Sequence, residues 1–250
     1  MDILKNIKSI TDSNLNLDSI SISDLSLGDS INKIPKEVII IKSGNWAHTH
    51  LNVNFRYSKD EEPKILEFGV GKGNTTSLFL EICKKNNGKL YSVDVEDFSK
   101  LFNDEYWHFI QCRDDEFQKV ENNIDKEFDI ICLDTLHNTK HIKKIFNHYY
   151  PKLKKDGIFL IDGVSCLPYL KGNERNNFFG EVISIETFIM ILEIYNCNKE
   201  NMELEFSFIG SGVAKLKKIN NKNLNINNKL NLRYLSFKNI LRKIYHSFRR

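Results

Sequence analysis

Three side chains late in the first two-thirds of the chain are typed and spaced for polar chemistry. Asp134 closes an apolar stretch, His137 follows three residues later, and Asp162 closes the next apolar stretch. A carboxylate can hold a divalent cation or accept hydrogen bonds from substrate hydroxyls. An imidazole, with an ordinary pKa of about 6.5, can take a proton at neutral pH. A second cluster lies upstream, in Ile65-Leu66-Glu67-Phe68-Gly69-Val70-Gly71-Lys72-Gly73-Asn74-Thr75. There a short apolar run meets three alternating glycines. Glycines let a backbone turn tightly and approach a ligand closely. Asp94 follows in Tyr91-Ser92-Val93-Asp94-Val95.

The elements around these residues alternate in type. Strands are expected over 64–68, 89–94, 107–112, 128–134 and 157–162, and helices over 74–86, 116–123, 139–153 and 181–195. Runs at 203–209 and 212–216 read as a closing hairpin. Strands alternating with helices imply βαβ units and a mostly parallel sheet, a Rossmann-like α/β fold. Ligands on such sheets sit at the carboxyl ends of the strands, where the strand order reverses. Asp94, Asp134 and Asp162 all stand at strand ends, so the fold should gather them beside the glycine loop.

The loop excludes two nucleotide motifs. A phosphate-binding P-loop ends in Gly-Lys-Ser/Thr after a four-residue spacer. Here Lys72 lies between glycines and Asn74 follows them. A dinucleotide loop reads G-x-G-x-x-G/A, and Gly73 stands one position early for it. The order of strand, Glu67, glycines, helix and Asp94 instead resembles motif I of the class I S-adenosylmethionine-dependent methyltransferases. The resemblance covers about residues 60–218 and implies a seven-stranded, mostly parallel sheet with helices on both faces. It implies that Glu67, Gly69, Gly71 and Gly73 form the cofactor loop, with Glu67 near the methionine end. It also implies that Asp94 binds the ribose hydroxyls.

Asp134, His137 and Asp162 further resemble the catechol-type and macrolide-sugar O-methyltransferases. That branch implies Asp134 and Asp162 as ligands of a cation such as Mg²⁺, and His137 as general base. The fifth-strand acid there is followed by Asn or Asp, whereas this chain has Gly163. Metal dependence therefore stays open; without a metal, the two aspartates would position substrate hydroxyls or the cofactor amine. Strand-end aspartates also cap following helices, a purely structural alternative for Asp134. Asp114 and Asp115 stand where the family often contacts adenine, or else form a solvated turn. His141 and His148 read as helix surface.

The expected activity is methyl transfer to a hydroxyl of a sugar or small metabolite. The alternatives are an NAD-linked oxidoreductase, for which Asp94 would serve equally, and a non-catalytic binding protein on the same fold. No N-P-P-Y-like segment follows the fourth strand, where Asp134-Thr135-Leu136-His137 stands instead, so no nucleic-acid partner is expected. Cys166 reads as incidental. Five widely spaced cysteines make neither a zinc site nor a disulfide framework, which suits the cytoplasm.

Residues 1–59 read as an N-terminal arm and a substrate-side segment. The apolar pairs of 1–33 alternate as short strands do, but their period slips. The aromatic and polar residues of 44–57, together with 165–180, are expected to shape the acceptor pocket. Residues 219–250 read as an Asn/Lys-rich linker and a basic helix. Net charge is +3, yet 232–250 holds six Lys/Arg and no acid, so the rest of the chain is net acidic. The expected role of that helix is packing on the body or on a second copy in a homo-oligomer. The alternative is a cationic interfacial helix giving weak contact with a membrane surface.

Overall fold

A computed structural model describes residues 62–208 and 210–225, the backbone of 38–43 and 48–54, and positions 237, 238, 241 and 245. The readings of residues 1–33, and of 44–57 beyond the strand within it, lie outside the described residues. Among the described residues, no helix is long and apolar enough to cross a membrane.

Two strands, β1 (Val38–Ser43) and β2 (His48–Asn54), form an antiparallel pair of their own. The main sheet then builds from β3 (Lys64–Phe68), α1 (Asn74–Lys85), β4 (Lys89–Asp94), β5 (Trp107–Gln111), α2 (Phe117–Glu121) and β6 (Phe128–Leu133). It continues through α3 (Thr139–Tyr149), β7 (Leu153–Asp162), α4 (Phe178–Cys197), β8 (Met202–Ser207) and β9 (Val213–Lys218). Seven strands lie in the order β5-β4-β3-β6-β7-β9-β8. Pairing is parallel from β5 through β7 and antiparallel across β9. The chain thus winds outward from β3 in one direction, then returns to start again at β6. The crevice between β3 and β6 is the switch point.

The central strands are apolar on both faces because both are covered. Leu66, Phe68, Tyr91, Val93, Ile131, Leu133, Phe159 and Ile161 pack with Ile142, Phe146 and Tyr149 of α3 and with Ile191 and Ile194 of α4. The alternate residues Ile65, Leu90, Ile130, Cys132 and Leu160 pack with Leu78, Phe79 and Ile82 of α1 and with Trp107. A period of two therefore sorts each strand between two cores.

Three boundaries differ from expectation for local reasons. Pro151 cannot donate a backbone bond, so α3 ends at Tyr149 and tightens into a 3-10 turn at Tyr150–Lys152. β7 starts early at Leu153, its pairing with β6 slipping between Phe128 and Ile130. α4 starts at Phe178 because the Asn177 side chain accepts from the backbone N–H of Phe179 and Gly180.

The start of α3 bears on the site. Its cap is Asn138, whose side-chain oxygen accepts from Lys140 and His141 N–H at 3.1 Å each. Asn138→Ala is expected to cost about 1 kcal/mol, within the usual 0.5–2 range for a lost cap. Urea denaturation would read this as a lower midpoint at unchanged slope; an unchanged midpoint would mean that the cap contributes nothing.

Candidate functional site

The turn after β3 is set by backbone contacts. Gly69 N–H donates to Val93 O at 2.9 Å, and Asp134 N–H donates to Phe68 O at 2.9 Å. The loop and the end of β6 are thereby drawn together. At Gly69, φ is +95°, and a Cβ would collide with the Asp134 carbonyl. Glycine is required there on both counts. The loop is clamped from β4 by Asp94. Its Oδ2 accepts from Val70 N–H at 2.8 Å and Gly71 N–H at 3.4 Å, and its Oδ1 accepts from Glu96 N–H at 3.0 Å.

A cleft of about 710 Å³ opens over this turn, within the range of small-molecule sites. Gly69, Gly71, Asp94, Asp134 and Asp162 line it, with Asp114, Thr135 and His141 also on its wall. Glu67 and Gly73 lie beneath or behind that wall. Gly73 backs onto Leu101 and Phe102. Glu67 is only 1% exposed, its Oε2 accepting from Ser92 Oγ at 2.7 Å while Trp107 Nε1 donates to Ser92 Oγ at 3.0 Å. Among the described residues its Oε1 has no hydrogen-bond partner. Burial pushes the Glu67 carboxyl up to about 8; Ser92 and the nearby Thr76 hydroxyl oppose this, and the charges of Asp134 and Asp94 add to it.

Asp134 and Asp162 stand on the wall of the cleft and His137 does not line it, yet each of the three offers a ligand atom within 4.8 Å of the others. His137 Nε2 lies 3.7 Å from Asp134 Oδ1. Asp162 Oδ1 accepts from Ser211 Oγ at 3.0 Å. Burial first, and the Asp134 charge second, raise the Asp162 carboxyl well above the usual range, against Ser211, Gly163 N–H and Arg175. Asp134 does not cap α3, because Asn138 does.

Gly163 explains the seat of His137. It has φ +80°, and a Cβ on it would lie 2.6 Å from His137 Nδ1. The imidazole thus occupies the space where a side chain at 163 would begin. The donor set fits a divalent cation through two carboxylates, with an imidazole in place of a third oxygen donor. Such a mixed set is less suited to Mg²⁺ than an all-oxygen one.

The sequence reading of His141 as helix surface is corrected. Its side chain is only 10% exposed, and its Nε2 lies 2.9 and 2.8 Å from the two Asp114 oxygens. Thr135 Oγ1 donates to Asp114 Oδ2 at 2.6 Å. Asp115 turns the other way, to Arg113 at 2.9 Å and Lys144 at 3.1 Å. The Asp114-Asp115 pair therefore divides into one wall residue and one solvent-side ion pair. His148 stacks on Phe117 with ring centroids 3.7 Å apart and pairs with Glu121 at 2.7 Å, away from the cleft.

Glu67 yields a pH prediction. An unfolded Glu67 ionises near its ordinary value of 4.5, but the folded one holds its proton to about 8. Between these values the unfolded state gains up to about 1.4 kcal/mol per pH unit over the folded one. The melting temperature should therefore fall more steeply between these pH values in the wild type than in Glu67→Gln. Parallel profiles would show that Glu67 ionises normally in the fold.

Comparisons with known proteins give one family match and several distant structural likenesses. Residues 66–164 match the model of a family described as methyltransferase domain. No curated protein matches the chain. Among solved structures, the MycE methyltransferase of mycinamycin biosynthesis, in complex with Mg, SAH and mycinamycin VI, is 17% identical. The match covers 66% of this chain and 47% of MycE at a TM-score of 0.49. The SAH-bound methyltransferase PaMTH1 of Podospora anserina is 15% identical over 62% of this chain and 71% of its own, at 0.48. A caffeoyl-CoA O-methyltransferase-like protein of Staphylococcus aureus is 19% identical over 62% and 76%, at 0.47. The chain spans about half the length of MycE. At these identities and scores, the likenesses carry no argument about what this chain binds. The family match runs from the strand that leads into the glycine loop to the turn after Asp162, the stretch that holds the loop and the three strand-end aspartates.

Proposed function

We propose that the cleft binds S-adenosylmethionine and transfers its methyl group to a hydroxyl of a sugar or small metabolite. The observation that carries this reading is the charge of the cleft. Asp94, Asp114 and Asp134 line it as carboxylates, against Lys72 and Arg113 on the same wall, while burial keeps Asp162 and Glu67 protonated. A cationic sulfonium is favoured there by Coulomb attraction. The pyrophosphate of a dinucleotide would have to sit over the same carboxylates, which disfavours the NAD-linked alternative. Gly69 and Gly71 would let the backbone approach the cofactor, and Asp94 would accept from the ribose diol through lone pairs its backbone donors leave free.

The reaction forms one O–CH₃ bond and breaks one S–CH₃ bond, with a neutral thioether leaving. The acceptor proton must depart as the bond forms, because an aliphatic hydroxyl is almost wholly protonated at neutral pH. His137 is the proposed base. Its ring is seated over Gly163 and faces Asp134, whose carboxylate stabilises the imidazolium that results. Asp134 and Asp162 would hold the acceptor hydroxyls, or a divalent cation that supplies Lewis-acid stabilisation of the forming alkoxide. The net acidic body accords with a small-molecule acceptor rather than a nucleic acid.

Calorimetry with S-adenosylmethionine and S-adenosylhomocysteine, with NADH as control, tests the cofactor. Binding is expected for the first two, weakened at least tenfold in Asp94→Ala. Binding of NADH alone would overturn the assignment. Once an acceptor turns over, His137→Ala should lower turnover by about two to four orders of magnitude with cofactor affinity nearly intact. Equal loss of both would make His137 structural.

A further inference from the structure

One carboxylate holds both ends of the segment that carries His137. Asp114 lies in the turn after β5, while the segment leads from β6 into α3. On one side of His137, Thr135 Oγ1 donates to Asp114 Oδ2 at 2.6 Å. On the other, His141 Nε2 lies 2.9 and 2.8 Å from Asp114 Oδ1 and Oδ2. A carboxylate can only accept, so that ring nitrogen carries the hydrogen. Hydrogen bonds to a charged acceptor are stronger than neutral ones, and burial strengthens them further. Asp114 is buried and the His141 side chain nearly so.

Burial anchors little of the segment between those two bonds. Asp134, Leu136, His137 and Asn138 are all exposed. Asn138 caps α3 with its own side chain, so the start of the helix does not need Asp114. The turn that bears Asp114 is itself fixed to α3. Asp115 pairs with Lys144 at 3.1 Å, and Tyr149 Oη donates to the Asp114 carbonyl at 3.4 Å. With His141, these dock the turn on α3 at three points. An exposed segment fluctuates unless polar bonds restrain it. Gly163 gives the imidazole room but does not hold the backbone that bears it. We propose that His141 and Thr135 are positioning residues, acting through Asp114 to hold the chain on both sides of His137, so that its ring keeps one orientation beside Asp134. The catalytic consequence rests on His137 being the base; the restraint on its ring does not.

Proton–nitrogen NMR of the full chain labelled at its histidines reads the His137 ring directly, its signals assigned by their loss in His137→Ala. In His141→Ala and in Thr135→Val these signals are expected to shift and broaden. In His141→Gln, whose amide can still donate to Asp114, they should return toward their wild-type positions. His148→Ala is the control, because His148 makes a like pair with Glu121 on the same helix, away from Asp114; it should leave the His137 signals in place. Thr135→Val, close in size to the native residue, serves should His141→Ala melt early. Once an acceptor turns over, turnover at saturating ligands should fall by about tenfold to a hundredfold in His141→Ala and recover in His141→Gln. Unmoved His137 signals in folded His141→Ala and Thr135→Val would overturn the proposal, and so would an equal shift in His148→Ala. Shifted signals with unchanged turnover would support the restraint and remove His137 from the chemistry, so the two readings fail separately.

Discussion

The cleft depends on one close backbone approach, Gly69 against the carbonyl of Asp134. It occurs where β3 and β6, neighbours in the sheet but far apart in sequence, both stop. Paired strands that end level place their following turns side by side. Only a residue without a Cβ lets those turns touch. The consequence is that the loop after β3 and the acid after β6 become two walls of one cleft rather than two separate surfaces. The bond from Asp134 N–H to Phe68 O fixes their register, and the Asp94 carboxylate fixes the loop from the other side.

Much of this was legible because parallel sheets write themselves plainly. Strands buried on both faces are continuous apolar runs, and the carboxylates that end them stand out. Asp94, Asp134 and Asp162 were found this way, and all three line the cleft. The glycine loop was legible for the same reason, since Gly69, Gly71 and Gly73 break an apolar run. What escaped depends on side-chain direction and on contacts distant in sequence. Nothing in the sequence local to Asp114 and Asp115 tells which turns inward; Thr135 and His141, from other elements, decide it. His141 reads as surface on a helix whose third residue could face either way.

Gly163 shows how a missing side chain can be read as a contact. In the sequence it is a lost oxygen donor. In the fold, its bare Cα gives His137 a place to lie, edge-on, beside Asp134. A side chain at 163 and the present seat of the imidazole exclude each other by steric overlap. The site therefore exchanges one possible ligand for a fixed orientation of its proposed base. Fixing a ring before substrate arrives lowers the entropic cost of the proton transfer.

The same accounting applies to charge. Burying Glu67 and Asp162 near Asp94 and Asp134 without an intervening cation is costly, and the fold meets that cost by holding protons on the buried members. This links the buried relay from Trp107 through Ser92 to Glu67 with a cleft it does not line. The basic tail stands apart from this field: its cations lie on a segment with no acid of its own.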